Sequence, residues 1–206
     1  MRLTHTRTAV AAGALAGLAA LTLSSAGTAT AAGQAPAFLE PGDLPPHQSS
    51  GWFAQDIRQG LPELPQFCLE DVELPADGTW SRDYHTDLDT NARQLVVETG
   101  SAAEAQALAA ELADAVADCA ADWLRENPGA TAGWDDFGTV EAADGARVFG
   151  VHTAPQQAGL GLNLFGVGRS GDTVTVVGWG EMGRLSDAPV SAFKETTAIA
   201  LTKLGG

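Results

Sequence analysis

Basic residues are scarce in this sequence: 11 Lys and Arg stand against 26 Asp and Glu in 206 residues, a formal charge of −15. Such a surface is repelled by nucleic acid and by anionic lipid headgroups, which excludes functions that need a basic face. Its plainest use is solubility. Catalytic signatures are missing as well. Ser170 stands in Gly168-Arg169-Ser170-Gly171, which is not the G-x-S-x-G nucleophile elbow. Gly166, Gly168 and Gly171 match G-x-G-x-x-G, yet a strand-like run (173–177) follows where a dinucleotide site needs a helix, so they mark a hairpin turn. His152 stands alone on a strand-like run, with no carboxylate placed beside it to make it a general base. Sulfur is rare too, and Cys68 and Cys119 are the only two cysteines.

What is present begins with a leader. Arg2 and Arg7 supply a positive end, residues 9–23 an apolar run, and Ala29-Thr30-Ala31 the small-x-small pattern of signal-peptide cleavage, after Ala31 or else after Ala32. The run is short for a membrane span, and no second run of that length follows. No cysteine lies near the cleavage point, so no lipid anchor is expected there. Removing residues 1–31 takes away two arginines and no acid, leaving 175 residues with a charge of −17. That is one domain of ordinary size. An exported chain meets an oxidising compartment, where two thiols form a bridge. Cys68–Cys119 is therefore expected as a disulfide, in a protein that is secreted and extracellular.

Residues 32–46 read as a flexible lead-in, because Pro41, Pro45 and Pro46 block helix. Residues 47–78 read as irregular, with Pro62, Pro65 and Pro75 spaced through them, and a bridge from Cys68 would pin that stretch down. Alternation over 79–87 reads as a strand with one polar face. Residues 92–98 read as its hairpin partner. Ser101 caps a helix over 101–126, Glu104 completes a capping box, and Asn127-Pro128-Gly129 ends it. Ala105, Leu108, Leu112, Val116, Cys119 and Trp123 form its apolar stripe, which turns Cys119 to the core. Strands follow over 134–141, 147–153, 160–169 and 173–180. Ser186-Asp187 then caps a last helix with Pro189 in its first turn. The order predicts an α+β fold: a mostly antiparallel sheet of about six strands, with two main helices packed on one face. Residues 47–206 make the single domain.

Asp83, His85 and Asp87 recur at a period of two, so one strand face carries all three. Carboxylates and an imidazole together suit a divalent cation or acid–base work. On so acidic a protein, a plain solvent-exposed strand face explains them as well, and no recognised ligand spacing completes a metal site. Asp135 and Asp136 are adjacent on a strand, so they point to opposite faces and do not act as a pair. In Gly178-Trp179-Gly180 a large ring sits between two residues without side chains, a pattern that lines a cleft or fills one.

Phe38-Leu39, Asp43-Leu44-Pro45, the irregular Cys68 region, the helix carrying Ala117-Asp118-Cys119 and the closing hairpin at 171–177 together resemble the PknH-type extracellular sensor domains, which also occur as stand-alone secreted proteins. The resemblance spans about 38–204. It implies an antiparallel sheet with packed helices and a cleft taken to be a ligand site, and it brings no catalytic residues. The receptor-kinase form has two disulfides; this chain can form one, between the early loop and the first long helix. The expectation is a non-enzymatic, sensor-like domain, without metal or cofactor, that binds an unidentified small molecule or cell-envelope component. Asp83, His85, Asp87 and Trp179 are its candidate ligand contacts. Nucleic-acid partners and membrane insertion after leader removal are not expected. The alternatives are a cation-dependent secreted hydrolase using Asp83, His85 and Asp87, and a secreted protein-interaction or inhibitor module.

Overall fold

The computed structural model describes residues 34–205, so the leader and both cleavage positions lie outside the described residues. The strands are β1 (Phe53–Ala54), β2 (Arg58–Gln59), β3 (Thr79–His85), β4 (Asn91–Glu98), β5 (Thr131–Val140), β6 (Ala146–Ala154), β7 (Gly161–Ser170) and β8 (Thr173–Met182). They form one eight-stranded sheet in the order β1-β3-β4-β8-β7-β6-β5, with β2 also paired to β3. Every pairing is antiparallel. The α+β class and the antiparallel sheet are as expected. The count exceeds six because β1 and β2, two residues each, pair along β3 within the stretch read as irregular.

Helix α1 (Ala102–Glu126) joins β4 to β5, and α2 (Val190–Leu204) closes the chain. Ser101 Oγ accepts from the Glu104 N–H, as its N-cap position requires. Ser186 and Asp187 do not cap α2. They lie in a 3-10 turn (Leu185–Asp187), and α2 starts after Pro189.

The helices do not share a face. Val174 and Val176 of β8 pack with Leu112 and Val116 of α1, whereas Val177 and Trp179 pack with Phe193 and Leu201 of α2. Strand residues alternate sides, so the two helices cover opposite faces. The reason is visible in β8, where seven consecutive positions, 174–180, are buried. A strand covered on both faces loses the in/out alternation that one-sided burial imposes. In β6, Phe149 and Val151 face α1 and Val148 faces α2.

The lead-in is packed rather than loose across 38–44, with Phe38, Leu39 and Leu44 buried. The Leu39 N–H donates to Gln94 Oε1 at 2.8 Å, and its carbonyl accepts from Tyr84 Oη and Arg82 Nη1, both at 2.9 Å. Burial pushes the Tyr84 phenol above its ordinary value of 10.0 against the pull of Arg82, so it stays a neutral donor.

Asp43 ties the same stretch to the C-terminal helix. Its carboxylate meets Lys203 Nζ at 2.8 Å, and its carbonyl accepts from Thr196 Oγ1. Partial burial raises its pKa, but the Lys203 hydrogen bond, the Glu40 N–H and the Lys203 charge outweigh it, leaving the carboxyl below its ordinary 3.8. A lowered folded pKa means stability that is present above 3.8 and lost as pH falls below it. The pair is worth at most about 1 kcal/mol. Urea midpoints of wild type and Lys203→Met are expected to differ at neutral pH and to converge in acid. An unchanging gap would show that the pair does not titrate with stability.

Candidate functional site

Helix α1 covers only part of its face. The rest, over β3 and β4, is covered by the segment 61–74, whose Leu69, Val72 and Leu74 pack with Leu95 and Val97. Prolines and the absence of any apolar period keep this segment from forming an element of its own. The bridge holds it instead: Cys68 and Cys119 are bonded, with Cα atoms 5.2 Å apart. Cys68 takes φ of 69°, a left-handed conformation uncommon for a residue with a side chain.

Where this cover stops, a cleft of about 410 Å³ opens over the ends of β3, β4, β7 and β8. Asn163, Phe165, Gly178 and Gly180 form its floor, and Leu64 to Phe67 one wall. Asp83, His85, Asn91 and Arg93 form the other. Asp83 Oδ1 accepts from Arg93 Nε at 2.5 Å, with both side chains about three-quarters buried. Arg93 Nη1 also donates to the Leu64 carbonyl at 2.7 Å, which holds the two walls together. His85 stacks on Phe53, ring centroids 5.6 Å apart.

The floor exists because two residues of β8 have no side chain. A Cβ on Gly178 would lie 2.0 Å from Gln66 Nε2, and one on Gly180 would lie 2.8 Å from Asn163 Oδ1. Two carboxamides therefore rest directly on bare sheet backbone. Gln66 is only 8% exposed, yet among the described residues neither its Oε1 nor its Nε2 has a hydrogen-bond partner. A second cavity of about 360 Å³, walled by Leu69, Val72, Leu74 and Leu95, lies on the other side of Gln66 and Pro65.

The four candidate contacts separate. Asp83 and His85 line the cleft. Asp87 does not, because β3 ends at His85 and the chain turns; Asp87 is exposed, and its N–H donates to Ser50 Oγ at 3.0 Å. The Trp179 ring belongs to the core beneath α2, so its residue borders the cleft from the far side of the sheet. Arg93 already engages Asp83, and among the described residues no three His, Cys, Asp or Glu side chains converge as a metal site. Gln66, Asn163 and Arg93 also line the cleft, and no sequence motif marks them. Gly178-Trp179-Gly180 was the usable signal, and its glycines, not its ring, shape the cleft.

Comparison with family models and with curated proteins finds no match. Among solved structures, the chain is similar to the extracellular domain of PknH from Mycobacterium tuberculosis, at 13% identity and a TM-score of 0.46, over 80% of this chain and 97% of that one. A likeness this distant does not establish family membership. Among the described residues, no helix is long and apolar enough to cross a membrane.

Proposed function

We propose that this protein is a secreted, non-enzymatic binding domain of sensor type, which takes a small molecule or cell-envelope component into the cleft beside Gln66. The observation that carries the reading is the Gln66 carboxamide, which is buried with no partner among the described residues. A buried donor and acceptor left unpaired cost about 1–3 kcal/mol. A domain that keeps such a group, on a glycine floor that makes room for it, is built to pair it with something outside the chain. Arg93 Nε holds Asp83 Oδ1, which commits the cleft's one carboxylate to a guanidinium and favours binding over hydrolysis.

Secretion rests on the leader pattern and on the disulfide, and it predicts that protein in the culture medium begins at Ala32 or Gly33. The binding reading predicts a trade of stability against function at Gln66. Gln66→Met keeps the volume and removes the unpaired amide. The ligand-free variant is expected to be as stable as wild type or about 1 kcal/mol more stable. Thermal-shift screening against cell-wall fragments, lipids and metabolites is expected to give hits with wild type whose shifts shrink with the variant. A variant that is strongly destabilised, or that keeps every hit at full size, would overturn this reading of Gln66.

A further inference from the structure

Resting on that reading of the cleft, we infer that its ligand is a neutral, hydroxyl-rich molecule of about one sugar ring, held by the carboxamides of Gln66 and Asn163. Charge is the first ground. The chain carries 26 acids against 11 bases. Yet the cleft is lined by one carboxylate and one guanidinium, Asp83 and Arg93, which are spent on each other at 2.5 Å. Its His85 imidazole is stacked on Phe53. The cleft therefore holds no carboxylate or guanidinium left free to recruit a charged ligand.

The second ground is donor chemistry. A carboxamide presents a donor and an acceptor side by side in one plane. A hydroxyl likewise donates and accepts, so adjacent hydroxyls satisfy both ends of a carboxamide. A carboxylate only accepts and an ammonium only donates, and each would leave half of Gln66 unpaired. Spacing is the third. Gln66 and Asn163 rest on Gly178 and Gly180, two residues apart on one face of β8. Two strand steps are about 7 Å, the reach of one hydroxylated ring.

A peptide fits less well. Peptides join sheets at open edges through main-chain pairing, whereas the floor strands β7 and β8 lie inside the sheet, with partners on both sides. Recognition falls to side chains, and Phe67 in the wall offers an apolar surface to ring C–H groups.

The test is ligand-observed NMR with the purified protein and a panel of neutral mono- and disaccharides and inositol, set against glucuronate and glucosamine. A neutral ring is expected to bind saturably and at least about tenfold tighter than its charged counterparts; Asn163→Ala and Gln66→Met are each expected to weaken it about tenfold, the scale of one lost hydrogen bond to an otherwise buried group. Asp87→Ala, outside the cleft, is expected to leave binding unchanged. Matching circular dichroism establishes that each variant is folded. A charged analogue that binds as tightly, or neutral binding untouched by both cleft variants, overturns the inference. If no saccharide binds while another class of compound does and Asn163→Ala removes it, the ligand class is wrong and the cleft reading survives. If nothing binds at all, both fall.

Discussion

Breaking the Cys68–Cys119 bridge is expected to cost about 4 kcal/mol, the chain-entropy value for a closed loop spanning the observed separation of 51 residues. Reduction, or replacement of both cysteines by Ala, is expected to move the urea midpoint accordingly. The damage will not be spread evenly. From the sequence alone, the freed stretch would be 47–78. In the fold, β1 and β2 hold 53–59 to β3, and Trp52 Nε1 donates to the Pro45 carbonyl at 2.7 Å. The segment with no ladder of its own is 61–74, so limited proteolysis under reducing conditions is expected to cut there first. That segment carries Gln66 and walls the cleft, so ligand-induced protection should disappear in the same samples. Equal protease resistance with and without reductant would refute the pinning role.

Phe193→Ala is expected to cost about 3–5 kcal/mol, because a fully buried ring is removed from a core too tightly packed to collapse around the loss. Phe193 projects from α2 onto the sheet face opposite the cleft. Its loss is expected to lower the denaturation midpoint while leaving cleft affinity per folded molecule unchanged. Leu112→Ala, on the buried face of α1, is expected to cost about 2–5 kcal/mol by the same mechanism. That change sits in the core cluster that includes Cys68 and Leu69, so it should loosen the cleft wall as well. Denaturation curves paired with ligand titrations separate the two variants. A folded Phe193→Ala protein with no affinity would show that the two faces are coupled through the sheet.

Much of the local structure was legible because local rules govern it. The Ser101 cap, the three-to-four-residue spacing from Ala105 to Trp123 and the turn chemistry at Ser170-Gly171-Asp172 all act within a few residues, and the elements follow them. The lead-in misled for the same reason. Its prolines allow no more than a 3-10 turn, Pro41–Asp43, which is a local fact, but Leu39 is held by Tyr84, Arg82 and Gln94, all more than 40 positions away. Alternation aligns Asp83, His85 and Asp87 in one row only while the strand lasts, and β3 ends at His85.

By itself, the sequence determined the α+β class, the run of long antiparallel strands, the two helices and the pairing of its only two cysteines, because periodicity, capping and cysteine number are properties of short segments and counts. The tertiary structure alone decided that the helices take opposite faces. It also set Gln66 and Asn163 side by side on Gly178 and Gly180. Periodicity reports that a face is buried and not what buries it. A cleft assembled from residues 66, 83, 93, 163 and 178 comes into being only when the sheet brings β3, β4, β7 and β8 together and the disulfide lays the loop across them.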